Sequence, residues 1–420
     1  MAQVGAGVVG AGAAFGANRL FGGDETTARN AKALKAAQMF ATIPDLLPPE
    51  FATELAELQT NAPSMGPGFV RRRMTAELGP DWASKFASFD LQAAHAASLG
   101  QVHKATSLDG QPLAVKLQYP EMQSAMETDL GQLRVIFALV RRMGGVIDTT
   151  EVSEEIAARL REELDYVREA AAMRLYHRFF EGRGDIVTPW PVEPLSTGRL
   201  LTMDWLDGRG LLAFKDASLE TRNTVARLLF DAWWQPMTHV GVIHGDPHLG
   251  NYSLAGEAER LNLLDFGCIR IFPPKFVAGV VSLYRALSTD DRAGQVAAYE
   301  TWGFTGLKPE MVDVLNLWAR FIYGPLLDDR VRTVADGVAP GHYGRREAFR
   351  VRQALKEIGP VTVPREFVFM DRAAIGLGAA FLHLGAELNW RSLFEASLVG
   401  FSEEAVAARQ AEALAQAGLA

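Results

Sequence analysis

The stretch from His244 to Gly267 limits what this chain can fold into more than any other feature. It reads His-Gly-Asp-Pro-His-Leu-Gly-Asn over residues 244–251 and, after thirteen further residues, Asp-Phe-Gly over residues 265–267. An apolar run precedes each segment, over residues 240–243 and 261–264. The second run predicts a short strand that leads directly into Asp265.

Three polar side chains in this stretch have the spacing of a kinase-type phosphoryl-transfer site. Asn251 follows Asp246 by five residues, and Asp265 follows Asn251 by fourteen. With this spacing we expect Asp246 to accept a proton from the attacking hydroxyl. We expect Asn251 and Asp265 to hold Mg²⁺ against the phosphates of ATP or ADP. Oxygen donors suit this hard cation, which keeps several waters and needs one or two protein carboxylates.

The same segment offers a second reading as a metal site, because His244, Asp246 and His248 alternate along it. Pro247 argues against a helix that would place both imidazoles on one face. The only other histidine close by is His239. A loop without chemistry is a third reading, and the kinase-like spacing of three separate pieces argues against it.

Residues 93–118 carry a further set of predicted nucleotide contacts. An alanine-rich segment, with Ala96, Ala97 and Ser98 at its end, lies where a nucleotide-binding lobe needs a phosphate-covering loop. Glycine is usual there, because backbone amides must approach phosphate closely. The turn signal Asp109-Gly110 then predicts a hairpin. Lys116, in an alternating Ala-Val-Lys strand, matches the kinase lysine that reaches the α- and β-phosphates.

That lysine requires a carboxylate on a helix. An amphipathic helix is predicted from near Glu151 onward, with an apolar stripe at Ile156, Leu160, Leu164 and Val167. Glu163 borders this stripe and is the predicted partner of Lys116. The other acidic residues of the helix are predicted to be solvated, namely Glu154, Glu155, Glu162 and Glu169.

The segment from Arg199 to Met203 predicts the next strand, and residues 204–208 predict a hinge. Backbone groups of the hinge would pair with the adenine edge, which makes Met203 and Trp205 predicted nucleotide contacts. After Cys268 the chain is predicted to be mostly helical. No Ala-Pro-Glu element follows the Asp-Phe-Gly, which argues against the peptide-substrate platform of protein kinases.

Charge and composition exclude several classes of function. A net charge of −8 argues against a general nucleic-acid binder. The single cysteine, Cys268, excludes an internal disulfide framework and fits a reducing compartment. The apolar segment from Val4 to Ala17 is too short to span a bilayer. We therefore expect a cytoplasmic protein, and the sequence leaves open peripheral contact at the inner face of a membrane.

The N-terminal quarter of the chain is predicted to be helical after a Gly/Ala-rich lead. Lys35 and Gln38 are three residues apart and so share one helix face; taken alone, they are typical of surface residues. A later helix is predicted over about Phe69 to Leu78. The predicted domains are residues 1–25 (flexible lead), 26–89 (helical extension), 90–205 (small lobe) and 206–420 (helical large lobe).

Taken together, these motifs resemble the UbiB family of atypical, protein-kinase-like proteins, which is linked to ubiquinone biosynthesis and to quinone or lipid homeostasis. The likeness spans about residues 30–400. It rests on Lys35 to Gln38, Ala96 to His103, Val115 to Pro120, Glu163 to Asp165, Asp246 to Asn251 and Asp265 to Gly267. Ala37 departs from the family's glycine, His95 interrupts the alanine run, and the membrane-spanning helices of some relatives are not evident.

The resemblance implies properties that the residues alone do not establish. In the family the N-terminal extension lies over the active site and blocks peptides, which implies a regulatory role for Lys35 and Gln38. It also implies that Asp165 is the second acidic position of the helix motif. It further implies a lipid or quinone-precursor ligand and quinone-biosynthesis proteins as partners.

The sequence thus predicts an α+β, bilobal protein-kinase-like fold with a helical N-terminal extension. The predicted function is Mg²⁺-dependent ATP binding with hydrolysis or small-molecule phosphotransfer, in support of ubiquinone or isoprenoid-lipid metabolism. Two alternatives stay open. One is a scaffold gated by ADP or ATP without essential turnover. The other is a small-molecule kinase similar to the aminoglycoside phosphotransferases, which use a comparable loop.

Overall fold

The computed structural model describes residues 65–97, 99–119, 161–335, 337–338, 344–358 and 364–419. The chain divides into two compact units, residues 1–133 and 134–420. This division falls within the predicted small lobe, and the predicted domain boundaries stay predictions. Lys35, Gln38 and Ser98 lie outside the described residues.

In the first unit, a helix is followed by a small antiparallel sheet. Helix α1 spans Pro67–Leu78, with proline in its first turn, where no intrahelical donor is lost; the helix predicted over Phe69 to Leu78 is therefore confirmed. The strands are β1 (Ser88–Phe89), β2 (His95–Ala97), β3 (Gly100–Thr106) and β4 (Pro112–Gln118). Strand β3 pairs with each of the other three.

The hairpin predicted from Asp109-Gly110 is confirmed. Strands β3 and β4 pair from Gly100↔Gln118 to Thr106↔Pro112. Gly110 adopts a φ of 87° in the connecting turn, a conformation that glycine reaches without steric cost. At the other end of the hairpin, a Cβ on Gly100 would collide with the carbonyl oxygen of Leu117. Glycine is required there because the two strands approach so closely.

The described part of the second unit, from residue 161 onward, contains seven strands. Strands β5 (Ile186–Val187), β10 (Arg260–Leu263), β9 (Tyr252–Ala255) and β7 (Arg209–Gly210) form one sheet in that spatial order. Strands β8 (Val242–His244) and β11 (Ile269–Ile271) form an antiparallel pair. Strand β6 covers Leu200–Asp204, which confirms the strand predicted there. Strand β10 likewise confirms the strand predicted to lead into Asp265.

Helices make up about half of the second unit's described residues. Before β8 they are α2 (Tyr166–Phe179) and α3 (Leu219–Val240). After β11 they are α4 (Pro274–Ser288), α5 (Arg292–Thr301), α6 (Pro309–Tyr323), α7 (Arg345–Ile358), α8 (Arg365–Leu384), α9 (Trp390–Ser397) and α10 (Glu403–Ala417). The prediction of a mostly helical chain after Cys268 is confirmed.

The aromatic core of the second unit fixes helix α3, which leads into β8. Trp234 of α3 packs edge-on against Phe394 of α9, with ring centroids 4.7 Å apart. Phe230 lies 6.0 Å from Trp390 of the same helix. Burial of each such side chain contributes about 1.5–3 kcal/mol, and ring pairing adds about 0.5–1.5 kcal/mol. Strand β8 and the polar loop after it thus extend from a firmly packed helix.

The predicted helix through Val167 is wrong in its last turns. Residues 161–163 are helical, but the chain then breaks, and α2 starts anew at Tyr166. Asp165 caps the new helix by accepting hydrogen bonds from the backbone N–H groups of Val167 (3.0 Å) and Arg168 (3.1 Å). This restart changes which face is buried. Val167 is 62% exposed, whereas Leu164 is buried as predicted.

The restart also overturns the prediction that Glu169 is solvated, because its side chain is 2% exposed. Glu162 is not simply solvated either, since it forms an ion pair with the buried Arg270 (3.2 Å). Among the described residues, no helix combines the length and apolar character needed to cross a membrane.

Candidate active site

The β8–β11 pair brings the two polar segments of the sequence to one place. His244 pairs with Ile269, and the N–H of Gly245 donates to the carbonyl of Cys268 (2.8 Å). This pairing sets Asp246, one residue beyond Gly245, at the same end of the ladder as the Asp-Phe-Gly. A long-range strand pairing, not chain proximity, assembles the site.

The far end of this ladder is held by the C-terminal helix. Gln410 of α10 donates from Nε2 to the carbonyl of Val240 (2.9 Å) and to that of Phe272 (2.8 Å). These carbonyls end α3 and follow β11, respectively. At the near end, the indole N–H of Trp233 donates to the carbonyl of His244 (3.2 Å). The ladder is therefore tied to helices at both of its ends.

Asn251 closes the loop that carries Asp246. Its Nδ2 donates to the backbone carbonyl of Asp246 at 3.0 Å and to Oδ2 of the same residue at 3.3 Å. The N–H of Asn251 donates to the carbonyl of His248 (2.9 Å). Since its amide nitrogen faces Asp246, the Oδ1 atom of Asn251 is directed elsewhere, as a metal ligand requires.

Asp265 lies beside Asn251 through the pairing of β9 with β10. Tyr252 pairs with Leu263, and the N–H of Leu264 donates to the carbonyl of Asn251 (3.0 Å). The carboxylate of Asp265 accepts from the N–H of Gly267 (2.9 Å). Asp246, Asn251 and Asp265, which the sequence singled out from spacing alone, are thus brought together within the second unit.

His244 holds the backbone of Asp265 in place. The imidazole is 2% exposed and bonds through Nε2 to the backbone carbonyl of Asp265. Because a carbonyl can only accept, Nε2 carries the proton. Within the described ranges, no group of three or more His, Cys, Asp or Glu side chains could hold a metal ion. The alternative of a site built from His244, Asp246 and His248 is therefore not supported.

The donor set fits Mg²⁺ better than a softer metal. Asn251 and Asp265 offer amide and carboxylate oxygens from adjacent strand ends, and Mg²⁺ takes one or two carboxylates and completes its shell with water and phosphate. Tyr252, next to Asn251, is fully buried. Burial, together with the negative charge of Asp246, raises the pKa of Tyr252. This phenol therefore stays protonated and adds no negative charge.

Two acidic side chains reach the Asp-Phe-Gly from helix α2 and the turn before it. A Cβ built on Gly267 would lie 3.7 Å from Oε2 of Glu169 and 3.9 Å from Cγ of Glu163. Phe266, which is 1% exposed, packs on Tyr176 of α2 at 5.4 Å between centroids. Glu163 thus lies at the Asp-Phe-Gly, while its predicted pairing with Lys116 stays a prediction.

Sequence reasoning missed Glu169, although a signal was present. Asp165 is a favoured N-cap residue, and a helix that starts at Tyr166 places Ala170 and Met173 on the same face. Glu169, three residues from Tyr166, lies on that buried face. Reading the cap as the start of a new helix would have moved Glu169 from the surface to the site.

In the first unit, Lys116 of β4 and the alanine-rich segment of β2 lie on strands that both pair with β3. Val102 is the register partner of His95 in β2 and of Lys116 in β4. Lys116 is 7% exposed. Ala96 and Ala97 pair with Gln101 and Gly100, so residues 95–97 of the segment predicted as a phosphate-covering loop form a strand.

A buried polar chain that the sequence did not predict supports this hairpin. The backbone N–H of Met65 donates to Oε1 of Gln101 (2.7 Å), and Nε2 of Gln101 bonds to Nε2 of His103 (2.8 Å). Nδ1 of His103 donates to the carbonyl of Asp90 (2.8 Å). Burial lowers the pKa of His103, which favours the neutral ring that this pattern requires. The chain joins the residues before α1 to the hairpin.

The predicted hinge is anchored to the strand that leads to Asp265. Met203 is buried near the end of β6, and the indole N–H of Trp205 donates to Oδ1 of Asp207 (2.7 Å). Nδ2 of Asn262, in β10, donates to the carbonyl of Asp207 (3.1 Å). Asn262 thereby links the hinge to β10, the strand that leads to Asp265. The contacts of Met203 and Trp205 with a nucleotide stay predictions.

Comparison with known proteins adds a family context to this geometry. A model of the ABC1 atypical kinase-like domain matches residues 57–299. The mitochondrial atypical kinase COQ8 of Saccharomyces cerevisiae is 27% identical over 280 residues, which cover 66% of this chain and 56% of that protein. The chloroplastic protein ACTIVITY OF BC1 COMPLEX KINASE 3 of Arabidopsis thaliana is 31% identical over 271 residues, 61% of this chain and 38% of that protein.

The chain thus spans about half or less of the length of these curated relatives. Among solved structures, Rv3197 of Mycobacterium tuberculosis, determined in complex with erythromycin, matches with a TM-score of 0.61 at 23% identity. The match covers 85% of this chain and 90% of that one. The domain match and this structural likeness confirm the predicted α+β, kinase-like fold.

Proposed function

Because the chain belongs to the ABC1 atypical kinase-like family, as its resemblance to the UbiB family predicted, we propose that it binds ATP or ADP with Mg²⁺. From ATP, it transfers the γ-phosphate to an acceptor, or to water, and releases ADP. The observation that carries the proposal is the cluster of Asp246, Asn251 and Asp265. Its side chains come from two segments that strand pairing unites. A loop with only a structural role would not need the side-chain oxygens of Asn251 and Asp265 next to the half-buried carboxylate of Asp246.

Each residue of the cluster has a distinct chemical role. Asn251, through Oδ1, and Asp265, through its carboxylate, would hold the metal ion. When bound, Mg²⁺ neutralises charge on the phosphate oxygens. Asp246 orients the attacking hydroxyl and accepts its proton, while the amide of Asn251 fixes the Asp246 carboxylate. Lys116 would pair with the α- and β-phosphates, and Glu163 would hold Lys116.

The acceptor and the partners are the finer part of the proposal. The resemblance to UbiB proteins supports a quinone precursor or an isoprenoid lipid as ligand, quinone-biosynthesis proteins as partners, and peripheral contact at the inner face of a membrane from the cytoplasmic side. The names of the two curated relatives place them in the mitochondrion and the chloroplast. The missing Ala-Pro-Glu element supports water or a small molecule, rather than a peptide, as the phosphoryl acceptor.

Asp246→Asn tests the enzymatic reading, because it keeps the shape of the side chain and removes its charge. We expect ATP turnover to fall about 10²-fold or more, while stabilisation by MgADP in a thermal-shift assay is retained. Turnover is measured with and without liposomes and a quinone-precursor-like phenol. Asp216→Asn is the control, since its side chain is 87% exposed.

Two outcomes would contradict the proposal. Undiminished turnover in Asp246→Asn would show that Asp246 has no catalytic role. Full complementation of a quinone-synthesis defect by an Asp246→Asn protein that binds nucleotide without turnover would replace the enzyme by a nucleotide-gated scaffold.

A further inference from the structure

Pro247, the residue that follows Asp246, packs against helix α8 at Gly376. A Cβ built on Gly376 would lie 3.4 Å from Cβ and 3.5 Å from Cδ of Pro247. It would overlap with Cγ of Pro247, so any larger residue at 376 would displace the ring. Pro247 is buried. Since glycine costs helix stability relative to alanine, its place in the middle of α8 needs a packing reason. The proline ring is that reason.

Helix α8 is held on both sides of this contact. Before it, the indole N–H of Trp318 in α6 donates to Oδ2 of Asp371 (2.7 Å). After it, the guanidinium of Arg222 donates from Nη1 to the carbonyls of Leu384 (2.7 Å) and Gly385 (2.8 Å). A cation at these last carbonyls stabilises a helix end. Helix α8 is therefore fixed in place where Pro247 packs against it.

The loop has little freedom of its own to absorb a shift. The pyrrolidine ring of Pro247 fixes its φ, so displacement of the ring moves the backbone of Asp246 as well. On the other side of the loop, Nδ2 of Asn251 donates to Oδ2 of Asp246 (3.3 Å), so a shift of Asp246 also changes this hydrogen bond. A displacement of about 1 Å at a reacting group can cost about 10²-fold in rate.

We propose that Gly376 is a positioning residue for Asp246: by admitting the Pro247 ring against α8, it sets where the Asp246 carboxylate stands. Helix α8 lies beyond residues 57–299, which match the family domain, so helices after that domain complete the site. The proposal rests on the proposed function for its kinetic consequence, but the loop's position can be measured without turnover.

Gly376→Ala is the direct test. We expect kcat for ATP turnover to fall about 10- to 100-fold, while KM for ATP and the thermal shift with MgADP change less than about twofold. Gly324→Ala is the matched control. Gly324 has helical backbone angles (φ −46°, ψ −48°), and its Cβ would meet nothing within 4 Å. If Gly376 had only a structural role, Gly376→Ala would lower the stability of the fold and the affinity for nucleotide together.

The second variant of the test removes the opposing ring. Pro247→Ala deletes the atoms that the added methyl group strikes, so Gly376→Ala in that background should cost little further activity. Independent, fully additive effects on kcat would contradict direct coupling between the two residues. The double variant also keeps the test valid if Gly376→Ala alone folds poorly.

Hydrogen exchange of the peptide covering residues 244–251 gives a readout that needs no catalysis. The amide of Asn251 is bonded to the carbonyl of His248, and we expect it to exchange faster in Gly376→Ala and in Pro247→Ala, and unchanged in Gly324→Ala. If the unmodified protein shows no ATP turnover, the proposed function is wrong. Hydrogen exchange of residues 244–251 would still show whether Gly376 sets the position of the Asp246 loop. Unchanged exchange in Gly376→Ala would overturn it.

Discussion

Replacement of Asp371 by asparagine should make the protein more stable at alkaline pH. Burial raises the pKa of Asp371 from 3.8, the value of an ordinary aspartate, to about 7, and the hydrogen bond from Trp318 only partly opposes this rise. Because the pKa of Asp371 is higher in the folded protein than in the unfolded chain, its carboxyl group keeps a proton in the folded protein between about pH 4 and pH 7. In the unfolded chain the same group has already lost this proton. The free energy of unfolding therefore falls as pH rises through this window.

The size of this loss follows from the difference of about three pKa units. At about 1.4 kcal/mol per unit, the upper bound is about 4 kcal/mol between pH 4 and pH 8. Asp371 retains partial exposure, so we expect roughly half of that value. Asparagine keeps an oxygen that can accept the indole N–H of Trp318 and carries no charge at any pH. The variant should match the unmodified protein near pH 4 and exceed it by about 2 kcal/mol at pH 8.

The assay is chemical denaturation of both proteins at half-unit intervals from pH 4 to pH 8.5. The difference between the two proteins cancels the titration of all other groups. Asp313→Asn serves as the control, since Asp313 lies on α6 with a side chain that is 68% exposed. A difference between Asp371→Asn and the unmodified protein that stays flat, or shrinks as pH rises, would refute the argument.

Three further predictions concern the site. Asp265→Ala should abolish stabilisation by MgADP in a thermal-shift assay, and an undiminished shift would show that Asp265 is not a metal ligand. Ala97→Gly should change the affinity for ATP or ADP, because glycine frees the turn after β2 to bring its amides nearer to phosphate; two unchanged affinities in a titration would count against that role. Glu169→Ala should lower the free energy of unfolding by about 3 kcal/mol, whereas Glu193→Ala, at a side chain 71% exposed, should cost below about 1 kcal/mol; equal costs in urea denaturation would contradict the buried role of Glu169.

Local patterns in the sequence were sufficient for the polar cluster. The spacing of Asp246, Asn251 and Asp265, in two segments that each follow a short apolar run, predicts the chemistry because strand ends deliver side chains at fixed offsets. The β3–β4 hairpin follows from an equally local signal, the Asp109-Gly110 pair in its turn. Each of these features depends on a few consecutive residues, so the sequence specifies it without long-range contacts.

Tertiary structure alone decided which other residues support the site. A single periodicity through residue 167 put Glu169 on the surface, but the cap at Asp165 starts a new helix whose buried face faces the Asp-Phe-Gly. Nothing near residue 376 indicates that a proline at 247 needs its space, and nothing near residue 371 indicates a buried carboxyl. Such contacts join positions 53 residues apart, for Trp318 and Asp371, and about 130 apart, for Pro247 and Gly376. They arise from the packing of whole helices, which the hydrophobic period of one segment does not encode.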